Sequence, residues 1–280
     1  MPFFSSNDQT QLFYQDYGTG HPLVFLSAWA MNSTMWEYQM LSFNDLSYRC
    51  LAYDRRGHGR SDRPAEGYHL DQLADDLEAL LEHLDLRNAI LVGISMGGSE
   101  IIRYLSRHGT RRISRIVLIA AMSPFLLKTD DNPEGVEEVY FEQIRTILQK
   151  DFPQWLADGA DAFYRPEVLG VSPGIVQWTI NMMLQTSLHA AIETQRLNTC
   201  TDFRSELPAI TVPALVIHGD ADQSIPVQFG RRTAELIPGC QYHEYTGAPH
   251  GLFFTHIDRL TTDITAFIEP QPIHTKNQAS

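Results

Sequence analysis

Leu91-Val92-Gly93-Ile94-Ser95-Met96-Gly97-Gly98 decides how the rest of this 280-residue chain is read. An apolar run ends in Gly-x-Ser-x-Gly and feeds a helical pattern, which predicts a strand, a sharp turn and a helix, the nucleophile elbow. The serine of an elbow occupies a strained bend. Gly93 and Gly97 are then required, because a side chain at either flank would collide with the neighbouring strand or helix. Ser95 is expected to project from the edge of a sheet. A helix starting near Met96 offers free N–H groups and the positive end of its dipole, both favourable to an oxyanion beside the serine. A glycine-rich turn without chemistry would explain a lone five-residue match equally well; the partners found downstream are what favour catalysis.

Working outward, strand and helix alternate on both sides of the elbow. Leu12–Tyr17 and Pro22–Leu26 read as strands joined through Gly18-Thr19-Gly20, a link short enough to suggest an antiparallel hairpin. The loop Ser27-Ala28-Trp29-Ala30-Met31 leads to a helix start at Asn32 or Ser33. Arg49–Tyr53 is a short buried strand, followed by the charged turn Asp54-Arg55-Arg56-Gly57-His58-Gly59-Arg60-Ser61, expected to be structural. Leucines 70, 73, 77, 80, 81 and 84 share one helical face. Beyond the elbow come a helix ending at Gly109 and a strand over Ile113–Ala121. From Met122 to Glu206 the alternation gives way to aromatic, helical segments broken by prolines, read as an inserted cap whose aromatics are core or pocket lining. Strand patterns resume at Val212–His218 and Gln241–Tyr245, with helices at Val227–Ile237 and Thr255–Ile268. The expected domains are a core of residues 1–121 and 207–269, a helical cap of residues 122–206 and a disordered tail of residues 270–280.

A serine hydroxyl is a weak nucleophile near neutral pH and needs a histidine base, itself held in one tautomer by an acid. His250, in the small-residue turn Gly247-Ala248-Pro249-His250-Gly251 after the last strand, is the strongest of eleven histidines for this role. The acid is expected after a late strand, where His218-Gly219-Asp220-Ala221-Asp222 offers two aspartates, and local chemistry does not choose between Asp220 and Asp222. His108, near a helix end, is explained by the helix dipole.

Charge narrows the partners. Asp and Glu number 34 against 21 Lys and Arg, a formal charge of −13, so neither nucleic acid nor an anionic membrane is an expected partner. Cys50, Cys200 and Cys240 are widely spaced with no CxxC pair, which suggests reduced thiols in a cytoplasmic protein and no zinc or redox site. Residues 1–11 lack the basic start and apolar run of a signal peptide or anchor.

Taken together, Met35-Trp36-Glu37-Tyr38-Gln39-Met40, the Asp54–Ser61 loop, Gly93-Ile94-Ser95-Met96-Gly97-Gly98, Thr201-Asp202-Phe203-Arg204, His218-Gly219-Asp220-Ala221-Asp222-Gln223 and Ala248-Pro249-His250-Gly251 resemble the α/β-hydrolase superfamily, and within it the cofactor-free chloroperoxidase and aryl-esterase branch. The resemblance runs from Leu12 to Phe267. It implies an α/β fold, a mostly parallel eight-stranded sheet flanked by helices with a helical cap inserted. It also selects Asp222, giving the triad Ser95, Asp222 and His250, and maps the oxyanion-hole N–H donors to Trp29 and Met96. Two departures stand out. Ser27-Ala28 replaces the usual His-Gly, where a positive φ at residue 28 would strain an alanine and Ser27 could supply a substitute hydrogen bond. Ala30 stands where relatives noted for peracid chemistry often carry proline.

The expected activity is serine carboxylesterase, without metal or cofactor, acting on small to medium acyl or aryl esters or lactones. Perhydrolase or cofactor-free haloperoxidase activity on the same triad is one alternative, and a ligand-binding protein on a hydrolase fold another. Phe125, Ile225 and Leu252, beside triad and loop positions, are the candidate pocket walls, with core packing as the competing explanation. A homo-oligomer is left open.

Overall fold

The computed structural model describes residues 2–269, so the expected disordered tail at 270–280 lies outside the described residues. In chain order the strands are β1 (Phe3–Ser5), β2 (Gln11–Tyr17), β3 (Pro22–Leu26), β4 (Arg49–Tyr53), β5 (Ala89–Ile94), β6 (Ile113–Ile119), β7 (Ala214–Gly219) and β8 (Gln241–Tyr245). The helices are α1 (Glu37–Asp45), α2 (Leu70–His83), α3 (Met96–His108), α4 (Glu138–Tyr164), α5 (Pro166–Leu169), α6 (Pro173–Met183), α7 (Leu188–Cys200), α8 (Val227–Leu236), α9 (Leu252–Thr255) and α10 (Ile257–Ile268). The eight strands form one sheet in the order β1-β2-β4-β3-β5-β6-β7-β8. Only the β1–β2 and β2–β4 pairings are antiparallel. The α/β-hydrolase fold, with its mostly parallel eight-stranded sheet flanked by helices, is thus present.

A strand buried on both faces must be apolar at every position, because successive side chains point to opposite sides. In β3, Leu23 and Phe25 join the core that also holds Trp36 and Phe43, while Val24 and Leu26 join the one holding the leucines of α2. All six residues of β5 are buried in the same way. The apolar stripe of α2 faces the sheet through Leu70, Leu73, Leu77, Leu80 and Leu81. Asn32 caps the short 3-10 turn ahead of α1 by accepting the Thr34 N–H at 3.0 Å.

The expected hairpin between the second and third strands is not formed. β2 pairs antiparallel with β4, and β3 pairs parallel with both β4 and β5. The reason is burial: a strand as apolar as β3 gains most between two parallel neighbours, and β4 supplies one after crossing back through α1. Gly20 lets the β2–β3 link pass over the end of β4, where any Cβ would overlap the Ser47 carbonyl. β1 was not among the expected strands; it is a three-residue edge on β2.

Helices α4 to α7 lie between β6 and β7 in the chain. α4 is kinked where Asp151 leaves helical geometry (φ −158°, ψ 79°), two residues before Pro153. The Asp151 carboxylate accepts the Gln154 N–H at 3.0 Å and so restarts the helix.

Candidate active site

The chain bends sharply at Ser95. Its φ of 53° and ψ of −117° put a non-glycine residue in a region that L side chains rarely adopt, between the end of β5 and the start of α3. The bend is held by Ser95 N–H donating to Ile119 O at 2.8 Å and by Ser95 O accepting from Gly98 N–H at 3.0 Å and Met122 N–H at 3.3 Å. A Cβ on Gly93 would lie 2.5 Å from the Gly97 carbonyl oxygen, and one on Gly97 would overlap the Leu26 carbonyl. The flanking glycines therefore allow α3 to start against both β5 and β3.

The end of β7 carries the two aspartates, and they have different partners. Asp220 Oδ1 accepts the Gly247 N–H at 2.6 Å and orders the turn after β8. Asp222 Oδ1 accepts the N–H groups of Ser224 and Ile225, each at 2.8 Å, while its Oδ2 lies 2.6 Å from His250 Nδ1. It is Asp222, then, that meets His250. Burial opposes ionisation of Asp222, but the neighbouring His250 and the hydrogen bonds from His218 and His250 outweigh it and hold the carboxyl well below the usual carboxylate range. A carboxylate can only accept, so Nδ1 of His250 carries a proton, and Nε2 is the ring nitrogen that does not face the carboxylate. Neither that Nε2 nor Ser95 Oγ makes a hydrogen bond among the described residues.

Trp29 lies in the loop after β3, and Met96 is the first residue of α3. Neither main-chain N–H donates a hydrogen bond among the described residues. The Trp29 ring is fixed by the inserted helices: Nε1 donates to Ala191 O at 2.9 Å, and the indole meets Phe152 and Trp155 edge-on at 6.0 and 5.6 Å between centroids. The His250 turn is held similarly. Gly251 N–H donates to Phe163 O at 2.9 Å, Arg165 Nη1 donates to Gly247 O at 3.0 Å, and the Phe163 ring stands 5.4 Å from the imidazole.

The Ser27–Met31 loop departs from both sequence expectations. The positive φ falls on Ala30 (58°), not on residue 28, and Ser27 Oγ is buried without a partner. With Met31 N–H donating to Ala28 O at 3.2 Å, residues 28–31 follow a type II turn, whose third position needs a positive φ. Proline, fixed near −65°, cannot adopt that conformation. Of the expected pocket walls, Leu252, the first residue of α9, has no exposed surface and packs into the main core. Ile225 is buried with Leu126, Phe141 and Phe229. Phe125 is also buried, beneath the Arg204 guanidinium at 5.1 Å.

Contacts unforeseen in the sequence include Met35, whose sulfur accepts the Ala28 N–H at 3.4 Å, and a buried Arg55–Glu100 pair behind the loop. The one available signal was a glutamate five residues after the serine, in an otherwise apolar helix face. His108 is bound to Asp75 at 2.8 Å and stacked on Tyr104, away from the site, as its position near a helix end suggests. Among the described residues no group of three or more His, Cys, Asp or Glu side chains could hold a metal ion, and no helix is long and apolar enough to cross a membrane.

A family model described as alpha/beta hydrolase fold matches residues 21–257, and the chain belongs to that family. Within it, the chain falls in the non-heme haloperoxidase branch. It is 36% identical over 274 residues to a non-heme haloperoxidase from Rhodococcus erythropolis, covering 96% of this chain and 100% of the relative. It is 34% identical over 275 residues to a bifunctional esterase/perhydrolase from Acinetobacter calcoaceticus, covering 96% and 99%. Among solved structures, an esterase from Exiguobacterium antarcticum superposes with a TM-score of 0.91 at 30% identity, covering 95% of this chain and 98% of that one.

Proposed function

We propose that this protein is a serine carboxylesterase that cleaves small to medium acyl or aryl esters, lactones included, through an acyl-enzyme on Ser95. The observation that carries the reading is the Asp222–His250 hydrogen bond of 2.6 Å, formed at the same sheet edge as the strained Ser95. His250 Nε2 takes the proton as Ser95 Oγ attacks the ester carbonyl, and the developing oxyanion is held by the Trp29 and Met96 N–H groups. Asp222 stabilises the imidazolium. His250 then returns the proton to the departing alcohol, and water, activated by the same imidazole, releases the acid. Residues 122–206 act as the cap between which and the core the substrate enters, with Trp29 and Phe163 beside the reacting atoms. The unpaired Cys50, Cys200 and Cys240 support a reducing compartment, the cytoplasm.

Hydrogen peroxide in place of water would release a peracid from the same acyl-enzyme, and the peracid would oxidise halide to hypohalite while returning the carboxylic acid. The haloperoxidase and perhydrolase relatives favour this second reading. The Ala30 backbone, which excludes proline, favours hydrolysis as the main reaction.

The test is hydrolysis of p-nitrophenyl acetate and butyrate, with chelator present, by wild type and by Ser95→Ala at matched folding. Saturable turnover that disappears in the variant is expected. Turnover that persists in Ser95→Ala, or folded wild type with none, would refute the reading.

A further inference from the structure

We propose that Arg55 is a positioning residue for the oxyanion hole, tying the loop that carries the Trp29 N–H to the helix that carries the Met96 N–H. The inference rests on the hydrolase reading above and concerns residues outside the triad and its donors.

Arg55 and Glu100 are almost wholly buried. The Arg55 Nε donates to Glu100 Oε1 at 2.5 Å, and the Tyr53 hydroxyl donates to Glu100 Oε2 at 2.9 Å. The other end of the guanidinium turns to the oxyanion loop, where Nη2 donates to Ser27 O at 2.8 Å and Nη1 lies 3.5 Å from Ala28 O. Ala28 O and Trp29 N–H belong to one peptide. Because that unit is planar and trans, its carbonyl and N–H point in opposite directions, so a cation on the carbonyl side aims the N–H the other way. Glu100 lies one helical turn after Met96 on α3, and the Arg55–Glu100 pair therefore sets the spacing of the two donors. The Met31 N–H also donates to Ala28 O at 3.2 Å and closes the turn, but among the described side chains only Arg55 donates to the Ser27 and Ala28 carbonyls. Ser27 Oγ bonds to nothing, and the Ala28 N–H has only the Met35 sulfur, a weak acceptor. In a chain that lacks the usual His-Gly here, the arginine supplies the order.

Breaking a buried pair also harms stability, so the experiment must separate position from folding. Arg55→Met, Arg55→Lys, Glu100→Gln and the double variant Arg55→Met/Glu100→Met are compared with wild type on p-nitrophenyl butyrate, each rate expressed per folded molecule. Asp76→Asn serves as the control, since it disturbs a different buried pair, Arg56–Asp76, of the same loop. The double variant leaves no unpaired charge and is expected to recover stability. Its kcat is expected to stay about 10- to 100-fold low with KM nearly unchanged, a loss below that from deleting an oxyanion donor outright. Affinity for a trifluoromethyl ketone, which places an oxyanion in the hole, is expected to fall in parallel, while Arg55→Lys recovers part of both. Asp76→Asn is expected to lose stability and keep kcat. The proposal is overturned if kcat recovers with stability in the double variant, if the loss is confined to KM, or if Asp76→Asn loses kcat equally. Absence of turnover in the wild type would instead remove the hydrolase reading itself, an outcome visible before any variant is measured.

Discussion

His250 Nδ1 lies 2.6 Å from Asp222 Oδ2, and the other oxygen of that carboxylate is occupied by the Ser224 and Ile225 N–H groups. The aspartate is thus fixed at both ends and can orient only one face of the imidazole. Asp222→Asn keeps the shape but favours the wrong tautomer, and kcat is expected to fall by about three to four orders of magnitude. Asp220→Asn, which alters only the contact to Gly247, is expected to stay within about tenfold of wild type by the same geometric argument. Steady-state rates on one p-nitrophenyl ester decide it; equal losses in the two variants would contradict the assignment.

Trp29→Phe keeps an aromatic ring against Phe152 and Trp155 but removes the indole N–H that donates to the Ala191 carbonyl, leaving that oxygen only the longer contact from the Thr194 hydroxyl. A stability loss of about 1 kcal/mol is expected in chemical denaturation, together with a changed ratio of acetate to butyrate hydrolysis. An unchanged ratio would separate this indole from the acyl site.

Asp76 accepts two hydrogen bonds from Arg56, at 2.7 and 2.6 Å, and a third from Ser6, all in the interior. Removing the carboxylate strands a buried guanidinium whose remaining partner is Asp8. Asp76→Ala is expected to cost about 3–5 kcal/mol, read from the urea midpoint. A cost below that of a typical surface substitution would mean that water reaches Arg56.

The fully buried His58 gives a stability that depends on pH. Burial, reinforced by the Arg55 charge, pushes its pKa from 6.5 down to about 3, and Nδ1 donates to Arg56 O at 2.8 Å. Between those two values the unfolded chain holds a proton that the folded protein does not, so stability falls as pH drops through the window. From pH 7.5 to pH 5 this one group is expected to remove about 2 kcal/mol. His58→Gln should flatten that part of the profile; an identical slope in the variant would assign the pH dependence elsewhere, His256 being the next candidate since burial lowers its pKa as well.

What the sequence determined by itself is local. The elbow, the leucine face of α2, the β8 strand and the helix end at Gly109 are written in patterns a few residues long, because backbone strain, period and capping act at that range. The order of serine, acid and histidine along the chain was legible too, since each follows a strand and parallel strands bring their ends to one edge. Tertiary structure decided what depends on neighbours distant in sequence. β2 joined β4 rather than β3 because burial on both faces outweighs a short link. Asp222, not Asp220, reached His250 because the turn after β8 claimed the first carboxylate. Leu252 went to the core, and Arg55, in a loop that looked only structural, came to lie behind Trp29. Such pairings depend on where chain segments meet once the core has closed, and no local pattern encodes that position.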